Sequence, residues 1–337
     1  MSTAVIAPPD LVDQGIPWHY GNPLAEQKAL SAGEAVVDLS NRAITKLVGV
    51  DRLTWLDSLT SHSVAGLTDS SSATTLILSP HGHVEFELHV IDKNEITYLI
   101  SDVGTGPKLR EYLLKMRFMK QVEILDSPEL AVVFESIRDF DPNNPTWLVP
   151  VEFINSGITP SGSSAGGDAA KYVKARPQVF NGREVIINRA DLPARLMDRF
   201  PAGSWAYNAY RIAAGVTRMV ELDHKTLPHE IGLIGPAVHL SKGCYRGQET
   251  VARVHNLGKP PRRLVLLHLE SGDLPMPAPG DLVKLNDSEV GIVLASAQHF
   301  ELGPIALGLV KRSIDLSSEL LVGSHKATQE EIVTRDL

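Results

Sequence analysis

A single cysteine, Cys244, in a chain of 337 residues narrows the folding problem more than any other feature. One thiol excludes an intramolecular disulfide and every multi-cysteine zinc or iron–sulfur site built within one chain. Buried apolar surface therefore has to hold the fold. At this length one core no longer suffices, so two or three domains are expected. The 43% apolar and 21% charged residues are those of an ordinary globular protein. No apolar run approaches the roughly 18 residues that a membrane span needs. Residues 1–9 hold neither a basic segment nor a long apolar stretch, which leads to the expectation of a cytoplasmic protein. The net charge of −8 argues against a surface built throughout for nucleic acid.

Strands and helices interleave from about Gly33, after a Pro-rich, irregular start that reads as a peripheral arm. Residues 35–40 and 44–49 have strand patterning, and Asp51 is placed to cap a helix over 53–59. Strands over 74–79 and 84–90 flank Pro80-His81-Gly82-His83, a hairpin turn. Residues 95–100 read as another strand and 108–114 as a helix. This order predicts an α+β sheet covered on one face. Residues 155–170 are low in complexity and read as a mobile loop within a second α/β module. Beyond Pro261, strands over 263–269, 282–285 and 289–296 predict a small β-barrel. The expected division is an N-terminal arm over 1–30, a first α+β module over 31–125, a second α/β module over 126–260, and a barrel over 261–325.

On a strand, His83, Glu85, Glu87 and His89 share one face. They could suggest a metal cluster. An outward polar face opposite Val84, Phe86, Leu88 and Val90 is the better account, and no zinc spacing occurs, so no metal is expected.

Cys244 lies in Lys242-Gly243-Cys244-Tyr245-Arg246-Gly247-Gln248-Glu249. Cations and helix starts favour the thiolate, the reactive form of a cysteine. Lys242 and Arg246 stand two residues to either side, and Gly243 and Gly247 let the backbone turn tightly. Residues 248–254 read as a short helix with Glu249 and Arg253 paired at i,i+4, stopped by Asn256-Leu257-Gly258. Six basic residues between Lys242 and Arg263 face one acid, which suggests an anion-binding surface. A small buried thiol and a solvated basic loop account for the same residues, and the residues alone leave both readings open.

The string K-G-C-Y-x-G-Q-E, continued by Val251-Ala252-Arg253, resembles the signature of the YgfZ-type folate-binding proteins, relatives of the glycine-cleavage T-protein (aminomethyltransferase). Further pieces are similar to that superfamily and come in its order. They are Asp38-Leu39-Ser40, then Gly49-x-Asp51 with Leu56, then the hairpin, Arg211-Ile212-Ala213-Ala214-Gly215, and Leu227-Pro228-His229-Glu230. The resemblance covers most of the chain and is thin over 125–200.

This resemblance implies two α/β modules around a central cavity plus the C-terminal barrel. It also implies tetrahydrofolate or a derivative in that cavity, and an accessory role in maturing or repairing iron–sulfur enzymes, including those that modify tRNA. The partners would be the folate and iron–sulfur client proteins, with direct tRNA contact a further expectation and no membrane. Cys244 would be the functional thiol, set among Lys242, Tyr245, Arg246, Gly247, Gln248, Glu249 and Arg253. Tyr207 and Trp205 would be stacking platforms for the folate, Glu230 an edge acceptor and Arg211 a cation. Glu87 stands at or near an acidic position linked to catalysis on the folate-bound methylene, and Asp102 completes the cofactor set. Core packing explains Trp205 and Tyr207 as well. At a second aromatic position of the family this chain has Arg42. Ala213 replaces the Glu of the T-protein pattern, which counts against aminomethyl transfer, the main alternative. A non-catalytic interaction scaffold with a structural thiol is the other.

Overall fold

The computed structural model describes residues 3–154, 173, 176–256, 258–270, 272 and 274–334. The loop expected over 155–170 and Leu257 of the expected helix stop lie outside the described residues.

A short antiparallel pair, β1 (Val5–Ile6) and β2 (Pro17–His19), opens the chain. The start is not peripheral, because Ala7 and Ile16 are buried and Asp13 is ion-paired to Arg218. Helix α1 (Pro23–Ser31) begins where Asn22 Oδ1 accepts from the Ala25 amide, with proline in its first turn.

The first five-stranded sheet runs β5 (Ser71–Leu78), β6 (Val84–Lys93), β7 (Ile96–Ser101), β4 (Ala43–Val48), β8 (Glu123–Asp126), antiparallel throughout. One face packs Leu47, Leu88, Val90 and Leu99 against Trp55 and Leu56 of α2 (Arg52–Leu59) and Leu109 and Leu113 of α3 (Gly106–Met116). Burying each such side chain contributes about 1.5–3 kcal/mol, which fixes the register. A slip of one residue in β6 would push Glu87 and His89 into that helix-covered core. The expected cap on α2 takes another form: the Asp51 carboxylate accepts from the Gln121 amide (2.9 Å), and its carbonyl accepts from Trp55.

The second sheet runs β10 (Thr146–Leu148), β11 (Arg183–Asn188), β9 (Leu130–Glu135), β3 (Ala35–Asp38), β12 (Phe200–Ala202), and its β3–β12 pair is parallel. Its inner strands β11, β9 and β3 are buried on both faces, so β9 reads as the unbroken apolar run Ala131-Val132-Val133-Phe134. Strand β3 ends at Asp38 and β4 starts at Ala43, so the chain passes from one sheet to the other early. Helix α4 (Ser204–Ala213) buries Ala206, Tyr207, Ala209 and Ile212 in the core shared with the second sheet.

A closed barrel follows, in the order β13 (Arg262–Leu269), β16 (Gly303–Lys311), β15 (Ser288–His299), β14 (Leu282–Leu285), β17 (Leu320–Val322), β18 (His325–Glu331). It packs Val265, Leu267, Val293 and Val310 together as its own core, while Leu264, Leu266, Leu307 and Leu309 of the same strands join the main core. Period-two alternation thus serves two cores with one wall. Among the described residues no helix is long and apolar enough to cross a membrane.

Candidate functional site

The two five-stranded sheets meet where Trp147 Nε1 of β10 donates to Thr74 Oγ1 of β5 (3.1 Å) and the Leu148 amide donates to Ser72 Oγ (3.2 Å). A cavity lies inside that junction. Glu87 and His89 of β6 line it from the first sheet, Trp147 and Glu184 from the second, and Tyr207 and Arg211 from α4. The face of β6 that reads as outward and polar therefore turns at Glu87 and His89 to an internal cavity. The reason is that their neighbours Leu88 and Val90 are claimed by the helices on the other side. The free space is about 50 Å³, room for about three or four waters.

Charge fills the rest. The Arg42 guanidinium pairs with Glu184 and donates to Tyr207 Oη (3.2 Å). The other Glu184 oxygen meets His89 Nδ1 at 2.7 Å, and the His89 ring stacks on Trp147 at 3.6 Å and 1°. Arg218 forks between Asp102 (2.7 Å) and Asp13 (2.9 Å). Arg211 is held by Glu221, Asn208 and the Val216 carbonyl. Burial works to raise the Asp102 carboxyl, but Arg218 overrides it and holds it at about 2. Glu184 is likewise held below the usual range, with Arg42 and His89 outweighing burial. Glu87 differs. It is the one cavity-lining carboxylate that makes no ion pair or hydrogen bond among the described residues, and burial pushes it up to about 6 against the pull of His89 and Arg42.

Of the residues expected to hold a cofactor, Tyr207, Arg211, Glu87 and Asp102 meet at this cavity. Trp205 does not. Two residues from Tyr207 on a helix, it points to the opposite side and stacks on Trp18 (5.0 Å, 17°). Glu230 does not either. It is fully buried, accepts from Arg262 (2.8 and 2.9 Å), and caps its own turn by accepting from the Leu227 amide (2.9 Å).

The cysteine motif forms a separate surface feature. Cys244 is exposed and does not line the cavity. Its loop rests on the tip of the β5–β6 hairpin. Gly247 has φ +82°, and a Cβ there would sit 2.5 Å from the Ser79 carbonyl and 3.0 Å from Gly82 Cα. Gln248 Nε2 donates to the Lys242 carbonyl (3.1 Å) and closes the loop, from which helix α5 (Gln248–Asn256) departs. Tyr245 is buried beneath, its phenol pushed up to about 12 by that burial.

The cations expected to act on the thiol are committed elsewhere. Lys242 Nζ donates to the carbonyls of Asp57, Thr60 and His62 at the end of α2, where helix carbonyls lack partners. Arg246 pairs with Glu85 (3.1 Å) and lies over the Tyr112 ring. Arg262 serves Asp223 and Glu230, and Arg263 is buried, so the basic run is largely spent inside the fold. The expected Glu249–Arg253 pair does not close among the described contacts, and both side chains are exposed. Glu85 and Tyr112 belong to an open groove of about 740 Å³, and Met219 lines both that groove and the cavity.

Sequence reasoning missed Glu184, Trp147, Arg218 and Asp13. A signal was present for Glu184: an acid heading Val185-Ile186-Ile187 sits in a strand too apolar to face water and so needs a buried partner.

No protein-family model matches the chain. It is 26% identical over 344 residues to the mitochondrial iron–sulfur cluster assembly factor IBA57 homolog of Aspergillus fumigatus, covering 87% of this chain and 74% of that protein. It is 25% identical over 333 residues to a putative chloroplastic transferase of Arabidopsis thaliana, covering 92% and 73%. Its fold matches that of the glycine cleavage system aminomethyltransferase T from Bartonella henselae, with a TM-score of 0.74 over 98% of this chain and 93% of that one, at 16% identity. The α+β architecture with a C-terminal barrel is thus the T-protein fold.

Proposed function

We propose that this protein is a YgfZ-type accessory factor for iron–sulfur enzymes, tRNA-modifying ones among them, with a tetrahydrofolate-type ligand in the central cavity and Cys244 as its functional thiol. The observation that carries the reading is Glu87. A half-buried carboxyl without a partner among the described residues, in a cavity whose other acids are all paired, is a group kept for a ligand. The Trp147 and Tyr207 rings supply flat apolar surface beside it. The similarity to an iron–sulfur cluster assembly factor across most of the chain supports the accessory role. With only about 50 Å³ free, the cavity has to widen for a ring to enter, and the Met219 boundary with the outer groove is the natural route. Cytoplasmic residence belongs to this reading and is checked by fractionation, since the relatives above are named mitochondrial and chloroplastic.

Calorimetric titration of tetrahydrofolate into the wild type, Glu87→Gln and Cys244→Ala tests it, alongside a cellular iron–sulfur enzyme assay. The expectation is binding by wild type and Cys244→Ala, weakened binding by Glu87→Gln, and loss of the cellular activity in Cys244→Ala. Absence of binding by the wild type sinks the folate half. Full cellular activity of Cys244→Ala sinks the thiol half. The fold favours a second reading, aminomethyl transfer, which requires glycine-dependent methylene transfer to tetrahydrofolate.

A further inference from the structure

We propose that Glu184 and His89 form a carboxylate–imidazole dyad that presents His89 Nε2, beside the Glu87 carboxyl, as a fixed acceptor for N–H donors on the cavity's ligand. The proposal rests on reading the cavity as a ligand site and adds to it the residue that recognises the ligand's donor edge.

Three observations carry it. First, Glu184 is buried with 1% of its side chain exposed, and its two oxygens are divided between Arg42 and His89 Nδ1. Held ionised by those partners, it can only accept, so the proton of the 2.7 Å contact lies on Nδ1. In the neutral ring the acceptor is then Nε2. Second, the ring cannot turn freely. It is stacked on Trp147, whose own indole N–H is tied to Thr74. Third, Nε2 has no partner among the described residues, while His89 lines the cavity two positions along β6 from Glu87. The charged and titratable groups around it are Glu87, Glu184, Arg42, Asp102, Arg218, Tyr207 and Arg211, the last held by Glu221. Of these, Asp102 is matched to Arg218, and Arg42 serves Glu184 and Tyr207. Two acceptors are left on one strand face of the cavity, the Glu87 carboxylate and Nε2. Acceptors two positions apart on one strand face suit a ligand that turns N–H donors towards that face.

Long-range ¹H–¹⁵N correlation spectra of ¹⁵N-histidine-labelled protein at pH 8 test this, with His89→Gln assigning the signal. The expected result is the Nδ1–H tautomer, and an Nε2 resonance that shifts on titration with tetrahydrofolate. His89→Gln should weaken tetrahydrofolate binding about tenfold and also lower the melting temperature, because Glu184 loses its ring N–H partner. An Nε2–H tautomer in the wild type overturns the dyad without any variant being needed. If the Trp147 indole signal moves on titration and the Nε2 signal does not, the ligand site stands and the dyad's part in recognition is overturned. If no cavity signal moves, the ligand reading falls and takes that part with it.

Discussion

A carboxyl held at about 6 inside a protein is a standing cost above that pH, and Glu87 carries such a cost. Its ordinary value is 4.5, so the folded state holds its proton more tightly than the unfolded chain does. The stability it contributes is fully present below about 4.5 and is lost as pH rises through about 6. Converted at about 1.4 kcal/mol per unit, the loss is about 2 kcal/mol. Glu87→Gln should therefore melt like the wild type at pH 4.5 and a few degrees higher at pH 8, by calorimetric scans at the two pH values. An equal difference at both would show that the carboxyl does not titrate in this way. At this scale the sequence was half legible. Tyr207 and Glu87 were reached through motif register, but a helix turns about 200° over two residues. Trp205 and Tyr207 therefore could not both face one cavity, and nothing local says which does. Glu230 was visible as an acid, whereas its partner Arg262 lies 32 residues away in another element.

Elements explain why the cysteine motif has the residues it has. Its glycine spacing was readable; what Gly247 leans on was not, because Ser79 and Gly82 belong to a hairpin some 165 residues earlier. Gly247→Ala combines a positive φ with a 2.5 Å approach to the Ser79 carbonyl. It should cost about 1–3 kcal/mol and speed tryptic cleavage after Arg246, followed by mass spectrometry. Lys242→Met removes the cation from three carbonyls at the end of α2, of which Asp57 keeps the Thr60 amide as donor and Thr60 and His62 lose the ammonium they accept from. A loss of about 1–3 kcal/mol in urea unfolding is expected, and a neutral effect would show that water replaces the ammonium. Four strands of the first sheet were legible, and the short edge strand β8 was not read. Strands β9 and β11 were not legible either, since burial on both faces erases the alternation that marks a strand.

At the scale of the whole molecule, one guanidinium ties the start of the chain to its centre. Arg218→Met leaves Asp13 and Asp102 buried without a counter-charge, a change that typically costs about 3–5 kcal/mol. Hydrogen exchange over residues 5–20 should rise together with a lower melting temperature; unchanged protection there would mean that the arm is held by Ala7 and Ile16 alone. The barrel was foreseen from its turns, and its last strand runs to Glu331. The crossing of the chain between sheets at residues 38–43 has a bearing on synthesis. Val37 pairs with Phe134 on one side and Ala202 on the other. A nascent chain emerging from the ribosome thus carries an unfinished strand until about residue 202 is available. Over that interval β3 is an apolar edge open to wrong neighbours. The first sheet is complete by residue 126 and can form while the second still waits for β12, so a chaperone that shields residues 35–38 would raise the yield of this protein more than one acting on the barrel.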